Sequence, residues 1–374
     1  MAIAALCGLR LWTTIGSIPG DIARSGTWLA SGYALLLITD FANGGGIANL
    51  LQTGVNYLPL LAVAPLALAI RLADVTPALI DRALQVTILM ALIFSVLLWI
   101  AGDPRPGGLN LNPIPYGFAI LLSATLLLWR GISGNQRLSF TLSLLAAVPI
   151  LLTGSKIVWV CALLSYAIGI SYWILKNRFW AYILPVTAAT LSCLAVFYFA
   201  YANSRLEYLR QELHDLSTSG VSMGGSLGAR IEIIVSAWRA FLQKPLIGYG
   251  LDERMSATFA HLTPSGPDVT NLGHLHNDYV THLVSYGMFG GIFIVVFLAG
   301  FWRQSSLSAI FEYKSAGMVY VILLAIYMSA EVAFNMDPVS GPMAVFLALL
   351  IASRAIPIGN SKDSAPIMHG SKIN

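Results

Sequence analysis

Within Gly273-His274-Leu275-His276-Asn277-Asp278-Tyr279, two imidazoles, an amide and a carboxylate fall close together. An unperturbed imidazole titrates near neutrality and is suited to take a proton from a hydroxyl nucleophile. Arg230 and Arg239 stand upstream, and Lys156 lies earlier, in Leu152-Thr153-Gly154-Ser155-Lys156. A guanidinium offers a fork of donors and an ammonium a point charge, and both suit a phosphate or diphosphate. Together these residue types suggest group transfer from a phosphorylated lipid. The His-X-His pair could also ligate a metal, but no further ligands stand at a recognised spacing, so no metal is expected.

The chain that must position these groups is not built for water. Of 374 residues, 57% are hydrophobic and 10% charged, against roughly 25% charged in a soluble domain. Mean hydropathy is +0.75. This excludes a disordered chain, a nucleic-acid module and an ordinary cytosolic enzyme, and makes lipid the solvent for most of the sequence. Cys7, Cys161 and Cys193 are dispersed and imply neither a disulfide framework nor a metal cluster. Residues 1–20 lack a clear cleavage site and carry Arg10 in their middle, so no signal peptide is expected.

Apolar runs predict an all-α polytopic membrane protein with 10–11 transmembrane helices. The spans fall near 25–42, 52–71, 83–101, 114–129, 138–153, 157–174, 179–200, 279–301, 316–335 and 340–353, with 3–17 as a half-span or interfacial helix. Pro149 is expected to kink its span. Arg24, Arg71, Arg82, Arg130, Arg137, Lys176, Arg178, Arg303, Lys314 and Arg354 fall at alternate loops, which the positive-inside rule makes cytoplasmic. Both termini are then cytoplasmic and 201–278 is external. The expected organisation is N-terminal spans over 1–200, a large outer loop over 201–278, C-terminal spans over 279–355 and a flexible cytoplasmic tail over 356–374. Lys156 and Arg105 depart from the charge rule. Lys156 either snorkels or faces an anionic ligand at the outer leaflet.

The outer loop gathers charge that the rest of the chain avoids, together with His214, His261, His274 and His276. A glycine-rich turn over 217–226 precedes an amphipathic helix over 229–242, with Ile231, Val235, Trp238 and Leu242 on one apolar face. Such a helix lies at the bilayer surface or roofs the spans, and Arg230 would then face the seam between lipid and protein. Gly287, Gly290 and Gly291, early in the next span, are expected to allow close contact with another helix.

Arg230 with Ile234, the helix end Lys244-Pro245-Leu246-Ile247-Gly248-Tyr249-Gly250, and His276-Asn277 followed after nine residues by Gly287-Met288-Phe289-Gly290 resemble the O-antigen ligase and polymerase superfamily of bacterial membrane glycosyltransferases. The resemblance covers roughly 140–301 and implies a GT-C-like fold in the bacterial inner membrane, with a periplasmic catalytic loop. It implies a glycan donor on undecaprenyl diphosphate and, as acceptor, lipid A-core for a ligase or a further lipid-linked repeat for an O-antigen or exopolysaccharide polymerase. Besides these, the partners would be membrane lipids, with no nucleic acid, no metal and no cofactor. On the likeness His276 is the base and Arg230 the diphosphate-binding arginine, both catalytic. Lys156, Asn277, His274 and Arg239 are substrate-binding candidates, and Asp278 and Glu232 are rival bases. Lys156 stands where the family has an arginine, and the span count is below the family's usual one. A polar-lipid transporter would instead place charged or broken-helix groups near mid-membrane. A structural protein would not require Arg230 and His276 to share a site.

Overall fold

The computed structural model describes residues 19–44, 46, 56–107, 112–177, 207, 210–211, 214, 226–264, 269–334 and 337–355. The expected span at 179–200, the half-span at 3–17, the glycine-rich stretch before residue 226 and the tail at 356–374 lie outside the described residues. Among the described residues every long element is a helix. In chain order these are α1 Gly20–Ala42, α2 Asn56–Leu72, α3 Pro77–Ile100, α4 Pro113–Ser133, α5 Arg137–Leu152, α6 Lys156–Asn177, α7 Ser226–Gln243, α8 Gly250–Phe259, α9 Asp278–Ser306, α10 Phe311–Met328 and α11 Asp337–Ala352. Five of them, α3, α4, α6, α9 and α10, are long and apolar enough to cross a membrane.

Local sequence explains the helix ends. Thr76 caps α3, accepting from Leu79 N, and Asn112 caps α4, accepting from Ile114 N at 3.0 Å. Each is followed by proline at the first helical position, where the missing N–H costs nothing. Inside α2 and α5 the helix is interrupted at Ala62 and Ala146, three residues before Pro65 and Pro149, as expected from the clash of a proline ring with the preceding turn.

Packing shows where lipid must be. Helix α4 is buried along most of its length and touches α3, α5, α6, α10 and α11. Helix α3 buries only a seam of Asp81, Ile88, Ala91 and Ser95 and exposes Val86, Met90, Ile93 and Leu97. So much apolar helix surface left uncovered among the described residues has a place in hydrocarbon but not in water.

The two ends of the bundle differ in chemistry. At one end Arg130 binds Asp81 through paired bonds of 2.9 and 2.7 Å, with Glu312 at 3.7 Å. There too Arg71 pairs with Asp21 and donates to the last carbonyls of α11, Ile351 and Ala352. At the opposite end lie α7, α8 and the turns before α9 and after α10.

Helix α9 breaks at Gly287, whose φ of 60° and ψ of −146° are not helical. The break frees the Val284 carbonyl and the Met288 N–H, and the turn after α7 satisfies both. Tyr249 N donates to Val284 O, and Met288 N donates to Pro245 O, each at 2.8 Å. The partner of Gly287 is therefore this turn and not another helix, a Cβ on it lying 2.3 Å from Leu246 O. Gly287→Ala should destabilise the fold by about 1–3 kcal/mol through backbone strain alone, read as a lower midpoint of thermal unfolding in detergent.

Candidate functional site

The run at 316–335, expected as one span, is helical only to Met328; 329–334 is a turn that carries Glu331. The physical reason is a set of bonds from the residues opening α9. Asn277 accepts from Val280 N as the helix cap, and its amide donates to Ser329 O at 2.8 Å. Asp278, fully buried, accepts from Ala333 N. These two residues grip the turn on both sides of Glu331, and Arg230 grips it between them by donating to Ala330 O at 3.1 Å.

Glu331, with 3% of its side chain exposed, is the centre of the cluster. Arg230 Nη2 donates to its Oε1 at 2.8 Å, and His276 Nδ1 lies 3.2 Å from its Oε2. His274 Nε2 stands 3.9 Å from Oε2, too long for a hydrogen bond but close enough to feel the charge. The two imidazole rings are 3.9 Å apart. Burial pushes the Glu331 carboxyl up, but the His274 and His276 imidazoles and the Arg230 charge outweigh it and hold it down to about 2. An ionised carboxylate only accepts, so His276 Nδ1 is the donor, and in the neutral ring that tautomer leaves the lone pair on Nε2. His276 reaches this position with φ of 49°, a left-handed conformation costly for a residue with a Cβ.

This pH linkage has a definite sign. Because the folded-state value lies below the ordinary 4.5, the ionised form stabilises the turn above that value, and the stabilisation is lost as pH falls toward about 2. Glu331→Gln should therefore cost on the order of 2–3 kcal/mol near neutrality. The difference from wild type should shrink steadily below about pH 4.5, as read by thermal unfolding in detergent.

The other candidates sit elsewhere. Arg239 is nine residues along α7 from Arg230, about 13 Å of helix rise, and donates to His261 O at 3.2 Å. Glu232 accepts from Thr263 N, in the same loop after α8, and from Ser236 Oγ one turn along α7. Asp278, the other rival base, is sealed beneath the cluster. Next to it His282 bonds Tyr57 Oη at 2.6 Å and the Asp278 carbonyl at 2.8 Å. Lys156 opens α6 after a turn whose Thr153 carbonyl accepts from Arg105 at 3.0 Å. That turn packs on Gly117 of α4, and the adjacent Phe118 stacks on Tyr327, one helical turn before Glu331. Lys156 thus lies at the same end of the bundle, and among the described residues it forms no ion pair with the cluster.

One donor atom from each of His274, His276 and Glu331 lies within 4.8 Å of the others, a spacing a metal bonded at about 2 Å could bridge. Arg230 already places a full positive charge on Glu331, which opposes a second cation there. Sequence reading missed Glu331 because it was absorbed into an apolar run. The available signal was the acid itself, since an ionisable residue within a predicted span is costly unless paired or used.

Residues 141–295 match the model of the family described as O-antigen ligase. That stretch contains Lys156, Arg230, His274, His276, Asn277 and Gly287 and stops short of Glu331. No curated protein matches the chain. Over 141–295 this helical membrane protein is similar to the O-antigen ligases.

Proposed function

We propose that the chain is an O-antigen ligase-like glycosyltransferase. It moves a glycan from undecaprenyl diphosphate to an acceptor hydroxyl, that of lipid A-core, at the periplasmic face of the bacterial inner membrane. One observation carries the reading: Arg230 and His276, 46 positions apart in sequence, bind the two oxygens of one buried carboxylate at 2.8 and 3.2 Å.

In this reading His276 Nε2 takes the acceptor hydroxyl proton as that oxygen bonds the anomeric carbon. The bond from that carbon to the diphosphate oxygen breaks, and the charge left on the diphosphate is met by the Arg230 N–H groups not used by Glu331 and Ala330. Glu331 fixes the tautomer and orientation of His276, as carboxylates do for basic histidines elsewhere. Asn277 and Asp278 hold the Glu331 turn. Lys156 adds positive charge at the same end of the bundle, while Arg239 holds the loop after α8 against α7. The paired end bearing Arg71 and Arg130 would be cytoplasmic by the positive-inside rule, putting the cluster, the 201–278 loop and the donor sugar in the periplasm.

A transporter is less well supported. The Val284 carbonyl and Met288 N–H freed by the break in α9 are bonded to Tyr249 and Pro245, so neither is free to coordinate a passing solute.

The test is purified protein with undecaprenyl-linked glycan and, separately, lipid A-core or further lipid-linked repeats. Modified core supports the ligase, and a ladder of longer lipid-linked chains makes the protein a polymerase. Neither product would overturn glycosyl transfer. With Arg230 neutralising Glu331, transfer should persist at full rate after exhaustive dialysis against EDTA, and a loss restored by added zinc would reassign the three-ligand cluster.

A further inference from the structure

Helix α7 has two apolar faces, and among the described residues only one is buried. Ile233, Ala237 and Ala240 are fully buried against α8 and α9. The stripe read from sequence as the apolar face is the other one: Val235 is 39% exposed, Trp238 47% and Leu242 58%, with Ile231 beside them. At about 100° per residue, the four side chains make a narrow band. Arg230 flanks it on one side and Arg239 on the other.

The band does not end with the helix. Leu246, in the turn that follows, is exposed, and that turn is bonded to the break in α9 through Pro245 and Met288. Met288 and Phe289 are exposed at that junction, and Val295 farther down α9 is exposed in turn. Exposed apolar side chains therefore continue from α7 through this turn to the outward face of a helix long and apolar enough to span a membrane. A surface continuous with a lipid-facing one, carrying a tryptophan and edged by arginines, matches the interfacial layer of a bilayer.

We propose that α7 is seated in the outer-leaflet interface of the bilayer, its Ile231–Leu242 band in the upper acyl region. This seating fixes Arg230, at the border between the buried and lipid-facing sides of the helix, at the depth of lipid phosphate groups. A phosphate-bearing lipid then reaches Arg230 sideways, within the leaflet, without leaving the membrane. The seating does not depend on the transfer reaction.

The test uses full-length protein with Cys7, Cys161 and Cys193 replaced by alanine, reconstituted in phosphatidylethanolamine–phosphatidylglycerol vesicles. Nitroxide labels are placed at Val235→Cys, Trp238→Cys and Leu242→Cys and, for comparison, at Glu253→Cys on α8. Collision with oxygen relative to a water-soluble nickel chelate should be several-fold higher at the first three positions than at 253. Ready access of the nickel chelate to all four positions would overturn the seating. So would immobile labels reached by neither agent, which would make the band a protein interface. A failure of glycan transfer leaves this measurement unaffected, so the two readings fall separately.

Discussion

His276→Ala is expected to lower glycan transfer by about 10²–10⁴-fold, the usual contribution of a positioned general base, while donor binding stays close to wild type. Nδ1 is committed to Glu331, so on the proposed reading the reactive nitrogen is Nε2, and alanine removes it without touching Arg230. His276→Gln is the informative companion: its amide can still donate toward Glu331 but has no basic nitrogen. Single-turnover transfer in membranes, alongside equilibrium binding of the lipid-linked donor, separates the two effects. Full transfer by either variant would remove His276 as the base. Loss of donor binding in step with transfer would make it a binding residue.

Arg230→Ala should impair both steps. Loss of a charge-stabilising donor costs about 10²–10³-fold in turnover, and on the proposed reading the donor diphosphate loses a charged partner. The substitution also strips Glu331 of its nearest charged partner, at 2.8 Å. Removing one partner of a fully buried pair costs about 3–5 kcal/mol; Arg230 keeps 31% of its side chain exposed, so on the order of 2 kcal/mol is expected here. Unfolding in detergent measures that cost independently of activity. Arg230→Lys separates charge from geometry. A lysine keeps the ion pair but cannot bridge Ala330, Glu331 and a diphosphate together, so it should recover stability more than turnover. Arg230→Ala that folds and transfers normally would leave the arginine structural.

These variants meet at a carboxylate that local pattern did not reveal. Arg230 and His276 could be picked out from sequence because charged and imidazole groups are conspicuous in so apolar a chain, and their spacing matched a family pattern. Glu331 lies 55 residues beyond His276, in what reads as the end of a hydrophobic run. Hydropathy averages over a window, so one acid among many apolar neighbours is smoothed away. The α9 break was legible as glycines, but its partner, the Lys244–Tyr249 turn, was not. Which backbone approaches a glycine depends on packing between segments.

Helix α7 shows the same division. Its two apolar stripes are both present in the sequence, and periodicity alone favoured Ile231, Val235, Trp238 and Leu242. The fold buried the other, made of smaller side chains, because Ile233, Ala237 and Ala240 allow close approach of α8 and α9. The larger stripe was left facing outward. By itself the sequence determined the helical class, the places of the five spanning-length apolar helices among the described residues and the residue types available for chemistry, because all three follow from local periodicity and composition. Only the tertiary structure decided that Arg230 and His276 share Glu331, that Asn277 and Asp278 hold its turn, and that Arg239 stands apart. Those facts are distances between segments far apart in the chain, and they are set by packing, which no local pattern encodes.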